Sequence, residues 1–132
     1  MTDRIWIVER DVLAIHDRLL ALEGGAPGLR DAGLLASASA RPQQHHAYGE
    51  SPDVVRLAAL YTDAILQDHP FIDGNKRVGF VVGVLVLELH GYAFTAPQAL
   101  ATHAVLDLAA GRTGLEGFER FLRDHVRAVH DT

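Results

Sequence analysis

Apolar residues recur at the spacing of an α-helix along most of this chain. Val12, Ile15, Leu19 and Leu22 each lie about one helical turn from the next, and the same period returns in later segments. Glycines, prolines and aspartates that suit helix caps separate the segments. The pattern predicts helices at residues 11–23, 32–40, 54–67, 74–90, 97–111 and 115–129.

The segment at residues 74–90 differs from the others because it is apolar almost all round. Its most apolar run, from Val78 to Leu89, is interrupted only by two glycines and Glu88. Such a helix is typical of one that is surrounded by others. The predicted fold class is therefore all-α, a compact bundle of six helices around a central buried helix. We see no repeat, low-complexity tract or linker, so residues 1–132 are expected to form one domain.

Three segments lack the helical period. Residues 5–7 suit a short strand or an extended lead-in, and residues 92–94 are expected to be extended. Residues 42–52 are predicted to form a polar connection, the longest stretch with no clear period. Loops of this length in small domains are often functional.

Composition excludes several classes of protein. The chain has no cysteine, so disulfide scaffolds, thiolate metal sites and cysteine nucleophiles are excluded. Its formal charge of -5 provides no global basic field for nucleic acid, and no direct nucleic-acid binding is expected. We find no secretory signal, and the most apolar run is too short for a bilayer. A cytoplasmic protein with no membrane partner is therefore expected.

The segment at residues 69–77 carries the candidate chemistry. A helix N-terminus has partial positive charge, yet the first turn here reads Gly74-Asn75-Lys76-Arg77, with two cations. An external phosphate would offset these charges, since free N–H groups, a glycine and two basic side chains suit an anion. The segment predicts a phosphate site.

Two further side chains belong to this segment, and the residues alone leave two interpretations of each. Asp73 is either a plain N-cap or a carboxylate ligand for Mg²⁺, which favours one or two carboxylates together with substrate phosphates. His69 is either a capping or core residue or a general base, because the ordinary pKa of histidine suits proton transfer at neutral pH.

At these residues a family resemblance appears. His69-Pro70-Phe71-Ile72-Asp73-Gly74-Asn75-Lys76-Arg77 resembles the Doc form of the Fic/Doc signature, H-x-F-x-D-x-N-K-R. Residues 13–17, 28–35 and 40–42 resemble neighbouring Doc segments, so the resemblance covers nearly the whole chain. It implies a compact helical fold and a cytoplasmic toxin of bacteria or phage. It also implies transfer from a nucleoside triphosphate to a protein hydroxyl.

The resemblance implies a role for each site residue. His69 would be the general base and Asp73 the Mg²⁺ ligand. Gly74 and Asn75 would form the anion hole, and Lys76 and Arg77 would hold phosphates.

The position of Lys76 distinguishes two branches of the family. The adenylylating branch has a second glycine there, which lets backbone approach the triphosphate, whereas lysine fills the space and adds a charge. The Doc branch resembles a kinase, with ATP as phosphoryl donor and a threonine of elongation factor Tu as target, which stops translation. Two alternatives stay open: AMP transfer, or a catalytically silent antitoxin-binding partner and co-regulator.

The remaining polar segments are interpreted as contacts with partner proteins or as solvent-exposed surface. Neither Glu23-Gly24 nor Glu116-Gly117 belongs to the inhibitory motif [S/T]-x-x-x-E-[G/N] of many Fic proteins, so a separate small antitoxin is expected to restrain the chain. Residues 43–50 are either a connection or, as in Fic proteins, a flap that docks the target peptide. Arg120, Arg123 and Arg127 are expected to form a solvated helix face or an antitoxin contact, and the histidines are not expected to form a metal site.

Overall fold

The computed structural model describes residues 4–47 and 52–129, and within these ranges the fold consists of six helices and two short strands. The elements are α1 (Glu9–Glu23), α2 (Ala32–Ala47), α3 (Val54–Asp68), α4 (Asn75–Leu89), β1 (Tyr92–Phe94), α5 (Gln98–Ala109), α6 (Leu115–Asp124) and β2 (Val126–Ala128). The predicted all-α class is confirmed. No helix within the described ranges has the length and apolarity needed to cross a membrane.

Helices α3 and α4 pack closely at the centre of the bundle. Gly79 and Gly83 of α4 face α3, and Thr62 Oγ1 donates a hydrogen bond of 2.7 Å to the Gly79 carbonyl. A Cβ atom at Gly83 would overlap Thr62 Oγ1 and lie 3.3 Å from the Ala58 carbonyl oxygen. The two helices can approach this closely because α4 has no side chain at these positions.

The most completely buried helix is α3, whereas the pattern of apolar residues favoured α4 for that place. Ten residues of α3 are buried, but α4 buries one face and leaves Phe80, Val84 and Leu85 half-exposed. These side chains face a surface cleft, and an apolar cleft wall has the same sequence pattern as a helix surrounded by others.

Helix α2 is longer than predicted. It continues through Pro42 to Ala47, so residues 43–47 are helical and the predicted connection at residues 42–52 is wrong for that part. A proline in a helix removes one backbone hydrogen bond. Here Pro42 is buried, and the Arg41 side chain is bonded to Asp68 of α3 at 2.7 Å, so packing against α3 outweighs that loss. Residues 48–51 of the predicted connection lie outside the described residues.

The end of the chain also differs from the prediction. Helix α6 ends at Asp124 instead of Val129, and β2 pairs antiparallel with β1 in the register Tyr92↔Ala128, Ala93↔Arg127 and Phe94↔Val126. Residues 5–7 are the extended lead-in, and the Ile7 N–H and carbonyl both bond to the buried Tyr61 hydroxyl.

Of the three arginines predicted to share one solvated helix face, Arg120 and Arg123 are exposed on α6 as predicted, but Arg127 is not on that helix. Arg127 lies in β2, beyond the end of α6. Arg123 is ion-paired with Asp53 and Glu119. This pairing joins α6 to the start of α3, where Asp53 also caps the helix by accepting the Arg56 N–H, as predicted.

Candidate active site

The site loop, residues 69–74, joins α3 to α4 and bends sharply at both ends. His69 is the C-cap of α3 and adopts φ 51°, the one positive φ found on a non-glycine residue within the described ranges. Gly74 is the N-cap of α4 with φ 85°, a conformation that favours glycine. The predicted helix stop before Pro70 is confirmed, and the two bends direct residues 69–77 toward one cleft.

The buried side chain of Asn75 fixes the middle of the site loop. Its Oδ1 accepts the Phe71 N–H at 2.9 Å, and its Nδ2 donates to the Phe71 carbonyl at 2.9 Å. These two bonds determine which end of the amide is oxygen, because the reverse orientation would oppose like groups. Asn75 Nδ2 also lies 3.2 Å from His69 Nδ1. An amide nitrogen can only donate, so Nδ1 of neutral His69 carries the lone pair.

His16 of α1 supports the same loop from below. Its ring is buried and stacks on the Phe71 ring, with centroids 3.8 Å apart and planes 9° from parallel. Its Nε2 lies 2.9 Å from the Asp73 carbonyl oxygen, which can only accept, so this nitrogen carries the proton. His16 therefore positions the loop, a role that its place in the sequence did not reveal.

A second loop, residues 24–31, holds the site loop from the outside; we call it the clamp loop. The Arg30 and Asp31 N–H groups donate to the Pro70 carbonyl at 2.7 and 3.2 Å, and the Ile72 N–H donates to the Gly28 carbonyl at 3.1 Å. Leu29 thereby forms an isolated antiparallel bridge with Phe71. In this pairing the N–H and carbonyl of Leu29 itself point away from the site loop.

The Asp73 carboxylate is held by backbone N–H groups at the cleft. Oδ2 accepts the Ala26 N–H at 3.0 Å and Oδ1 accepts the Gly74 N–H at 2.9 Å. These two donors lower the pKa of the Asp73 carboxyl, so it is ionised at neutral pH. Gly74, not Asp73, is the N-cap, and the interpretation of Asp73 as a plain N-cap is wrong.

The two cations of the first turn have different surroundings. Arg77 Nε lies 3.2 Å from Glu23 Oε1, so a carboxylate of the chain itself offsets part of the charge that we assigned to an external anion. Both side chains are well exposed, and such pairs are weak and exchangeable. Lys76 is exposed and forms no ion pair with any residue in the described part of the chain.

All six predicted site residues line one cleft of about 980 Å³ between α1, α4, β1 and α5. Its polar end is formed by the site loop and the first turn of α4. The rest of the lining is mostly apolar and includes Phe80, Val81, Val84, Leu85, Phe94 and Val105, together with the polar Glu88, Gln98 and Thr102. A smaller recess of about 390 Å³ shares His69, Asn75 and Lys76 with the cleft. The arrangement suits a ligand with an anionic end and an apolar end.

The predicted flap at residues 43–50 is not part of this site as far as it is described. Residues 43–46 are in α2 and do not line the cleft, while residues 48–51 lie outside the described residues. The segment that pairs with the site loop in a strand-like manner is the clamp loop. Its glycines at positions 24, 25 and 28 all have positive φ. Three glycines within five residues are the signal in the sequence that a tight loop occurs there.

Known proteins resemble a large part of this chain. The family model described as Fic/DOC family matches residues 6–87. The chain is 32% identical over 93 residues to the "Protein kinase doc" of Escherichia phage P1, covering 70% of this chain and 74% of that protein. It is 35% identical over 75 residues to the "Toxin Doc" of Mycolicibacterium smegmatis, covering 55% and 57%. A Fido domain-containing protein of Dictyostelium discoideum is 44% identical over 41 residues, covering 31% and 29%.

Proposed function

Because the chain belongs to the Fic/DOC family, we propose that it is a toxin that moves the γ-phosphoryl group of ATP to a serine or threonine hydroxyl of a protein. One observation carries this proposal: His69, Asp73, Lys76 and Arg77 line the polar end of a single cleft. The names of two relatives, a protein kinase and a toxin, support the same assignment.

The polar end of the cleft suits the phosphates. The first turn of α4 lines it, a helix N-terminus favours an anion, and Lys76 adds a positive charge. Arg77 would exchange Glu23 for a phosphate, which offers two charged oxygens to the guanidinium. The apolar end of the cleft would hold the nucleobase.

Asp73 fits a Mg²⁺ ion that arrives with the nucleotide. Its carboxylate is ionised, faces the cleft and keeps lone pairs beyond those used by the two N–H donors. One carboxylate together with phosphate oxygens is a usual ligand set for this ion. When bound, the ion would neutralise the charge that develops on the phosphates.

His69 is proposed as the general base. The lone pair on Nδ1 is the group that would take the proton of the target hydroxyl, which would have to displace the 3.2 Å hydrogen bond from Asn75 Nδ2. The proton would move from the hydroxyl to Nδ1 while the hydroxyl oxygen bonds to the γ-phosphorus and the nucleoside diphosphate leaves.

We propose that the target is a translation factor, with elongation factor Tu as the first candidate, and that the chain acts in the cytoplasm. The outward N–H and carbonyl of Leu29 offer a strand-like edge to a target peptide beside the site loop. A cognate small antitoxin would restrain the chain by covering the apolar end of the cleft.

The γ-phosphoryl assignment rests on Lys76. A glycine at this position would leave space beside the helix N-terminus for a diphosphate leaving group, whereas the lysine side chain lines both the cleft and the recess. A nucleotide bound in the reverse direction would place its terminal phosphate near His69.

The test uses ATP labelled at the α or the γ position, with purified elongation factor Tu and with a whole-cell extract. We expect label from the γ position alone, and a loss of about 10²–10⁴-fold in the His69→Ala variant. Transfer of the α label would establish AMP transfer instead. No transfer of either label to any protein would favour the silent, antitoxin-binding alternative.

A further inference from the structure

Arg30 of the clamp loop binds the backbone of three consecutive residues at the end of α3. Its Nε donates to the His69 carbonyl at 2.7 Å, and its terminal NH2 donates to the Asp68 carbonyl at 2.8 Å. Its backbone N–H donates to the Pro70 carbonyl at 2.7 Å. The guanidinium therefore caps two helix carbonyls that lack partners within the helix.

This capping occurs where the backbone adopts an uncommon conformation. His69 lies in the left-handed region with φ 51° and ψ 57°, which is uncommon for a residue other than glycine and costs free energy that the surroundings must offset. The direction of the imidazole depends on this backbone conformation. A cation at the C-terminal end of α3 is also favoured by the helix dipole.

Arg30 does not line the cleft or the smaller recess, so it does not touch a ligand bound there. Its exposed position and its place in a loop gave no sign of a role in the site. We propose that Arg30 is a positioning residue, which holds His69 in the left-handed conformation and so aims its imidazole at the cleft. The inference rests on the proposed function of His69 as general base.

Arg41 provides a matched control within the same structure. Arg41 is also bound to Asp68, but its guanidinium donates to the two carboxylate oxygens at 2.7 and 2.8 Å and not to the backbone carbonyl. The two arginines thus hold the same residue through different groups. Loss of either side chain removes two hydrogen bonds to residues 68–69, but only the loss of Arg30 frees the His69 carbonyl.

The experiment compares Arg30→Met, Arg30→Lys and Arg41→Met in the full chain. Steady-state transfer of the γ label to elongation factor Tu gives kcat and the KM for ATP. The ¹³Cα and ¹³Cβ chemical shifts of His69 report its backbone conformation independently of activity. We expect Arg30→Met to lower kcat by about 10- to 100-fold with little change in KM, since small misplacements of a catalytic group are costly.

In Arg30→Met the ¹³C chemical shifts of His69 should move away from the values typical of the left-handed conformation. In Arg41→Met they should stay at those values, and kcat should match that of the wild type. Arg30→Lys should remain impaired, because an ammonium cannot form the fork that spans two carbonyls. Unmoved shifts, an unchanged kcat or full activity of Arg30→Lys would each overturn the proposal. If the wild type transfers no label, the proposed function has failed, and the shifts alone still decide whether Arg30 sets the conformation of His69.

Discussion

Two adjacent glycines in the clamp loop allow a direct test of the part that Asp73 plays. Gly24 and Gly25 both have positive φ, 80° and 121°, but their surroundings differ. A Cβ at Gly24 would meet no atom within 4 Å, whereas one at Gly25 would lie 2.9 Å from Asp73 Oδ2 and 3.1 Å from Leu20 Cδ2. Alanine at either position therefore strains the backbone, but only alanine at position 25 pushes the carboxylate.

The contact distance gives the displacement expected for the Asp73 carboxylate. Relief of the 2.9 Å contact to 3.4 Å, where ordinary van der Waals contact begins, requires a shift of about half an ångström. A contact to a charged group contributes about 1.5–3 kcal/mol, and this shift weakens such a contact, so we expect about a tenfold loss of Mg²⁺-ATP affinity in Gly25→Ala. Both variants should lose about 1–3 kcal/mol of stability, because alanine is forced into a backbone region that is nearly restricted to glycine.

Calorimetric titration with ATP at several Mg²⁺ concentrations measures the affinity, and urea unfolding measures the free energy of unfolding. Gly24→Ala is the control, because it carries the backbone strain without the contact. The reasoning fails if the two variants bind Mg²⁺-ATP equally well, since the position of the Asp73 carboxylate would then not matter to binding.

Two further predictions concern the fold. Gly83→Ala places a methyl group against Thr62 and should lower the free energy of unfolding by about 1–3 kcal/mol, as measured by urea denaturation; an unchanged midpoint would show that α3 and α4 can separate freely. Burial raises the pKa of Tyr61 to about 12, so its neutral form stabilises the fold fully below pH 10 and this stability is lost as the pH rises toward 12. The free energy of unfolding of the wild type should fall by about 3 kcal/mol over that pH range. The Tyr61→Phe variant has no phenol to ionise and should lack this fall, so parallel pH curves for the two proteins would contradict the prediction.

The sequence was informative about features that depend on residues close together in the chain. The His69 to Arg77 segment could be identified because its residues are neighbours in the chain, and they line one cleft because a helix end brings neighbours together. The caps at Asp53 and the stop before Pro70 depend on two or three residues each, and both predictions are confirmed.

The sequence was less informative where distant segments meet. Helix α2 passes through Pro42 because tertiary packing outweighs a local preference, and local propensities contain no information about that packing. The last residues were predicted to be helical, but pairing with β1 makes them a strand. Arg30 and His16 act on residues 39 and 57 positions away, and no spacing rule relates such positions.

The contacts of the clamp loop have a consequence for how the site forms during folding. The hydrogen bonds of Arg30, Gly28 and His16 to the site loop each close a loop of roughly 40 residues or more, which is a slow event compared with forming a helix turn. An isolated peptide of residues 69–77 would lack every one of these partners. The geometry of the candidate site is thus assembled only when the segment of α1, the clamp loop and α2 docks onto α3 and α4. A partly folded chain therefore contains the whole signature but not the site.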